Sequence, residues 1–583
     1  MEDLEVYQPA RPAPDPRPGA AAHAAGRTLY SCRLGALPIL NRLLRRMRLE
    51  ESLRRYSPPE DRRFKISPAT GLVVLLKNLL LSREPLYSIG EWATRYAPDV
   101  LGLSAVPSSC WNDDRAGRCL DRLFQSDIPS LVLAVTTHVV REFRVELDEL
   151  HNDSTTVTFH GAYADATEGE SRRGRPTLAI TWGHNKDHRP DLKQLLFILT
   201  VAKDGGVPVQ FRVESGNVVD DLTHRATWDL LCQLTGRRDF LYVADCKLAT
   251  AENMAHLHQH GGQFVSVLPR TRAEDGAFRA SLSKGQVRWR PIHEKRDDQG
   301  EVVDRYSVCE PATSSVEGYR LVWYHSTRKA ELDACARHQQ VERALGELAE
   351  LRRKLSSPRT RHRDRAKVSE AVDAILEARG VTRWIVVEIV ERTVEKYRQE
   401  RPGRPNEETR YVRAVSTRFD LTYRIDHVQL AAETCGDGIF PLITNVLALS
   451  ELELLLAYKR QPVIETRFAQ LKTDFAVAPV YLNEVSRIQA LLCVYYFALL
   501  TEALLERELR QAMSRAEIES LPLYPEDRPC RCPTARRLID LFDDVQRHTL
   551  VVGEEPTVVF TTKLTRLQRK LLGLLGIPNA YDG

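Results

Sequence analysis

The sequence predicts an α/β protein: a mixed sheet with helices, preceded by a helical region and interrupted by a large mixed insertion. Three observations predict it. Apolar residues recur at helical spacing through most of the first 144 positions, β-prone runs begin at Val145, and a long charged helical stretch separates two groups of strand-like runs. At 583 residues the chain exceeds one small core, and a prior of roughly 100 to 200 residues per unit gives about three or four folded units.

Composition narrows the class without deciding it. Charged residues make up 28% and the net charge is +4, too mild a basic excess to argue for nucleic acid by itself. The eleven cysteines show no repeated ligand spacing and no secretory leader precedes them, so a reducing cytoplasm is expected. Cys530 and Cys532 alone are too few for a zinc site. The apolar run Gly71 to Leu81 is short and carries Lys77 and Asn78, which predicts a buried helix and no membrane span.

Residues 1–27, rich in Pro and Ala, are expected to form a mobile tail. Residues 28–144 form a helical N-terminal domain, with helices from Leu37, over Ser67 to Ser82, Ser88 to Tyr96 and Arg115 to Arg144. Its arginines make it a candidate for binding DNA ends, though a structural or dimerising role fits almost as well. Over 145–268 the chain enters a sheet. Val145 to Asp153 reads as a short strand ending in an acid, followed by the β-prone run Ser154 to His160, and Thr177–Gly183, Leu195–Val201 and Val207–Val213 come next, the last two joined by the turn Asp204-Gly205-Gly206. Asp220 and Asp221 start a helix, Phe240 to Ala244 is a buried strand ending at Asp245, Thr250 to His260 is helical, and Gln263 to Leu268 is a strand.

Residues 269–437 form the insertion, with strand-like pieces and a charged stretch from Glu331 to Arg379 that reads as a solvated arm in preference to a phosphate-contacting limb. Trp289, Trp323 and Trp384 within it are read as core in preference to base-stacking. Residues 438–520 return to the core, with the strand Ile439–Thr444, a segment around Glu465, and a long apolar helix from Glu484 to Met513. Residues 521–583 read as a small C-terminal appendage with helices near Ala535–Arg547 and Leu564–Leu575.

Antiparallel strands, a helix, a strand ending in an acid, and later a helix carrying a third acid follow the order of an RNase H-like fold. In such a sheet the first and central strands are neighbours, so Asp153 and Asp245 come together and Glu465 arrives from a helix packed at that edge. Three hard carboxylates suit two Mg2+ ions, with Mn2+ as a substitute, for in-line attack on a phosphodiester. Pro462 lacks an N–H, so the helix either begins near Gln461 or kinks there, which puts Glu465 in a first turn.

The stretch Tyr458 to Lys472 resembles the Y-x2-R-x3-E-x6-K signature of bacterial insertion-sequence DDE transposases. Tyr458, Glu465 and Lys472 match, whereas Gln461 stands at the arginine position, with Arg460 and Arg467 as substitutes. Asn152 to Thr156, the run Gly183 to Gln194 and Val243-Ala244-Asp245 resemble the same family. The resemblance implies a transposase that binds terminal inverted repeats, cleaves DNA and joins 3′-hydroxyls to target DNA. It implies Asp153, Asp245 and Glu465 as catalytic metal ligands, and a homodimer when two ends are paired in the bacterial cytoplasm at the nucleoid. Tyr458, Arg460, Arg467, Lys472, His184, His188, Arg189 and Lys193 are its candidate DNA contacts, although in the loop His184 to Lys193 a hydrogen-bond network would look the same. Two other readings are an inactive or domesticated DNA-binding protein and an RNase H-like nuclease without strand transfer.

Overall fold

A computed structural model describes residues 27–582 apart from 59–64, 105, 107–109, 165, 298, 358–359, 476, 478–481 and 553–554. The expected tail therefore lies outside the described residues, except for Arg27. The chain divides into two compact units, one formed by Met1–Phe264 with Ala457–Gly583 and the other by Val265–Leu456.

In the first unit the N-terminal helices follow the apolar pattern. Leu37–Arg46 buries Leu37, Ile39, Leu40, Leu43 and Leu44 on one face. Pro68–Leu81 is apolar on nearly every side and buried except at the half-buried Thr70, and it is begun by the Ser67 side chain accepting from the Thr70 N–H. Its one lysine, Lys77, is buried and donates to the carbonyls of Val100 and Leu101 at 3.1 and 2.8 Å. The expected continuous helix Arg115 to Arg144 is two, Asp113–Gln125 and Ile128–Phe143, bent by 90°. Asp127 caps the second helix and Pro129 occupies its first turn, so a new helix starts where the periodicity alone runs on. Val485–Arg515 is long and apolar enough to cross a membrane, but 94% of its apolar window is buried inside the protein. It packs on the helix Asp113–Gln125, on Pro68–Leu81 and on the outer strand of the sheet.

The sheet of this unit is mixed and runs in the order Pro208–Ser215, Lys193–Ala202, Glu149–Phe159, Leu241–Ala244. The first two junctions are antiparallel and the last is parallel. Two expectations are corrected. Asp153 is interior to an 11-residue strand, because the antiparallel partner keeps the chain extended as far as Phe159, opposite Lys193. Thr177–Gly183 is not a strand and touches the sheet through an isolated bridge of Thr181 to Gln194 and through the Ala179 N–H, which donates to Ser215 Oγ at 3.0 Å. Both edges of Lys193–Ala202 are already taken by its two neighbours, which leaves no free ladder for a third.

The C-terminal segment also differs from expectation. Its helix covers only Ala535–Asp540, and Gln546–Val552 is a strand paired on one side with Arg27–Arg33 and on the other with Glu555–Thr561. The short helix Arg566–Leu574 is present, closed by a capping box of Thr565 and Gln568.

In the second unit Val265–Val267 pairs with Ile439–Thr444, followed in order by Arg320–Ser326, Val302–Cys309 and Arg290–Arg296. The charged stretch is two helices, Thr327–Ser356 and Arg365–Arg379, with a core of their own. Val341, Ala344, Leu348, Leu351 and Leu355 recur at alternating steps of three and four, and pack with Val368, Val372 and Leu376 and with Phe419 and Leu421. The solvated-arm reading thus holds for the charged face alone. Trp323 is buried and stacks on Phe278 at 3.8 Å, Trp289 packs against the same cluster, and Trp384 packs on the helical core. Trp323 is thus a core residue, and Trp289 and Trp384 are half-buried against these cores.

Candidate active site

The parallel pair of strands brings two acids side by side. Their register runs Glu149 opposite Leu241 to Asn152 opposite Ala244, and the next residues are Asp153 and Asp245. Past that point the Asp245 chain turns away, with the Lys247 N–H donating to Asp245 Oδ1 at 3.1 Å. Burial raises the Asp245 pKa to about 6, and the charge of Asp153 adds to the rise. Burial likewise raises Asp153, partly offset by Lys186 and by the Ser154 N–H, which donates to Asp153 Oδ1 at 2.7 Å.

Glu465 stands in the first turn of Pro462–Ala469 and is exposed. The preceding helix ends at Lys459 and the new one starts at Pro462, as the missing N–H of proline requires. Tyr458 belongs to that preceding helix. Burial pushes its phenol up to about 12, reinforced by the negative charges of Asp245, Glu465 and Asp153. The Tyr458 hydroxyl therefore feels all three acids and stays protonated through the neutral range.

A third aspartate and a lysine, neither singled out from sequence, join Asp153 and Asp245, whereas no contact of Glu465 with the two aspartates is seen among the described residues. The Lys186 ammonium lies 2.6 Å from Ser154 Oγ, 2.7 Å from the Ser154 carbonyl, 3.1 Å from Asp220 and 3.3 Å from Asp153. Burial opposes its charge, but Asp153, Asp220 and Asp245 outweigh that and hold its proton more tightly than an ordinary lysine would. Lys186 sits inside the run Gly183 to Gln194, and that position is the one signal that could have found it. Asp220 opens a short 3-10 turn ahead of the helix His224–Thr235, and from sequence it reads only as a helix start.

The remaining expected contacts divide into two groups. Arg460 makes two 2.5 Å hydrogen bonds to Glu149, which is buried and also bonded to His151 at 2.9 Å; His151 in turn meets Gln461 at 3.2 Å. Arg467 is 2% exposed and donates to the carbonyls of Gly205 and Gly206, to Gln470 and to Glu506 at 2.7 to 2.9 Å. These two arginines are occupied in anchoring the glutamate helix, Arg460 on the Asp153 strand and Arg467 on the hairpin turn. The second group is accessible. Lys472 pairs with Asp187, His184 and His188 are exposed, Arg189 pairs with Asp191, and Lys193 bonds the Ala162 carbonyl with its ammonium 4.8 Å from the Trp182 ring centre. Buried Asn185 ties the loop by accepting from the N–H groups of Asp187 and Arg189.

Among the described residues, no three His, Cys, Asp or Glu side chains already stand as a formed metal-holding set. The donor chemistry nevertheless suits hard cations: carboxylate, carbonyl and hydroxyl oxygens converge on one positive charge, that of Lys186.

A family described as Domain of unknown function (DUF4277) matches residues 30–137. No curated protein matches the chain. Among solved structures, the piggyBac transposase synaptic complex with hairpin DNA is similar at 8% identity and a TM-score of 0.34, over 87% of this chain and 80% of that one. At that score nothing about fold or activity follows from it.

Proposed function

We propose that this chain is the transposase of an insertion sequence, with an RNase H-like core in which Asp153, Asp245 and Glu465 hold two Mg2+ ions, for which Mn2+ can substitute. The observation that carries the reading is the register of Asn152 against Ala244, which makes Asp153 and Asp245 neighbours at the point where two parallel strands part. The strand order supports it: three antiparallel strands followed by a helix and a parallel strand beside the first. When bound, the ions would supply Lewis-acid stabilisation of the oxygens attacking and leaving phosphorus.

The chain's own residues have separate tasks. Asp153 and Asp245 must lose their protons to serve as ligands, and the elevated Asp245 pKa makes this the pH-sensitive step. Tyr458 keeps its proton and can donate a hydrogen bond to a phosphate or a water beside the acids. Lys472, His188, Arg189 and Lys193 offer accessible positive or donor groups to the DNA backbone. Pairing two terminal repeats calls for two recognition surfaces, hence a homodimer at synapsis, acting in the bacterial cytoplasm at the nucleoid.

The test is a cleavage and strand-transfer assay using DNA from both flanks of the coding sequence, with Mg2+. Joined products that vanish in Asp245→Ala support the proposal. Cleavage without joining would support a nuclease instead, and DNA binding alone would support an inactive protein.

A further inference from the structure

Lys186 has three N–H hydrogens and four oxygen neighbours. The two Ser154 oxygens are closest, Asp220 is next at 3.1 Å, and Asp153 at 3.3 Å is the longest contact. Ser154 and Asp220 together can satisfy all three hydrogens, so Asp153 can be released without leaving the ammonium unpaired. On releasing Asp153 the ammonium keeps an anionic partner, Asp220, at 3.1 Å. Without Asp220, the contact to Asp153 is the carboxylate contact that remains to the ammonium.

We propose that Lys186 is an internal cation that neutralises Asp153 before metal arrives, and that Asp220 is the positioning residue onto which its ammonium withdraws when metal loads. The inference rests on the metal-binding reading above. Lys186 competes with metal, and Asp220 weakens that competition without being a ligand.

The test is titration of the full-length chain with Mn2+, followed by electron paramagnetic resonance of the free ion and by calorimetry. Lys186→Met, with Lys186→Gln as a second variant that can still hydrogen-bond Ser154, is expected to bind Mn2+ about tenfold more tightly than the parent. Asp220→Asn is expected to bind about tenfold more weakly, because Lys186 then rests on Asp153 alone. The double variant Lys186→Gln/Asp220→Asn should match Lys186→Gln, since without the lysine there is nothing for Asp220 to withdraw. Thermal melts establish that each variant is folded. Unchanged or weaker affinity in both folded Lys186 variants overturns the competition. A loss on Asp220→Asn that persists in the double variant makes Asp220 a ligand and overturns the withdrawal role. If Asp153→Asn and Asp245→Asn leave Mn2+ affinity at the parental value, the metal-binding reading itself fails, a result distinct from either of these.

Discussion

Asp153 and Asp245 lie one residue beyond Asn152 and Ala244, the last paired positions of two adjacent parallel strands, so each acid is desolvated in the presence of the other. An acid whose folded pKa is raised stabilises the fold below its unfolded pKa, and that contribution is lost as pH rises through the folded value. For Asp245 the window runs from about 4 to about 6. Asp245→Asn should therefore abolish Mg2+-dependent cleavage and stabilise the metal-free protein at pH 8 by about 1 to 3 kcal/mol. Denaturant melts at pH 5 and pH 8 check it: about half of the gain should be present at pH 5 and all of it at pH 8.

Arg460 is committed to Glu149, whose side chain is only 6% exposed. Arg460→Ala leaves that carboxylate without its cation and should cost roughly 1 to 3 kcal/mol, discounted because the arginine itself is partly exposed. Arg460→Ala/Glu149→Gln should recover much of the loss. A double-mutant cycle by urea unfolding measures the coupling, and additive losses would contradict it.

Arg467 and Lys472 resemble each other in sequence but differ in burial. Arg467→Ala removes four hydrogen-bonded contacts at a site 2% exposed and should destabilise by about 3 to 5 kcal/mol. Lys472→Ala should leave the melting temperature nearly unchanged while weakening DNA binding and lowering the salt slope by about one. Fluorescence anisotropy across a salt series reads the second effect.

The turn that Arg467 holds is equally constrained. Gly206 has φ +62°, and a Cβ there would come within 2.6 Å of Val463. Gly206→Ala should cost about 1 to 3 kcal/mol and displace the glutamate helix. Unfolding midpoints would show the cost, and an unaltered midpoint would show that the turn yields freely.

Glu502 lies inside Val485–Arg515, 1% exposed, and burial with the nearby charge of Glu506 pushes its pKa up to about 8. Its contribution to stability is complete below the ordinary glutamate value and is lost as pH rises through about 8. Glu502→Gln should flatten that decline and stabilise at pH 9 on the order of 3 kcal/mol. Melting temperatures between pH 5 and pH 9 test it; parallel profiles for parent and variant would refute the assignment.

Legibility followed the range of the signal. Helix faces, the Asp204-Gly205-Gly206 turn and the break at Pro462 are local, and each was readable from spacing, turn residues or a missing N–H. Asp245 at a strand end was readable for the same reason. Lys186 and Asp220 were not, because their meeting at 3.1 Å joins a loop residue to a helix start that no periodicity connects. Arg460 and Arg467 could not be told from surface cations either, since a guanidinium reads alike whether it faces solvent or a buried Glu149 or Glu506.

The sequence by itself determined the alternation of helices and strands, the pairing of Lys193–Ala202 with Pro208–Ser215, and the placement of Glu465 in a first helical turn, because residues close in the chain govern these. Tertiary structure alone decided that Arg27–Arg33 would pair with Gln546–Val552, that Thr177–Gly183 would not form a strand of the sheet, and which cations were buried against carboxylates. Those outcomes depend on competition for ladder positions and for buried charges. That competition is settled only when distant segments are desolvated together.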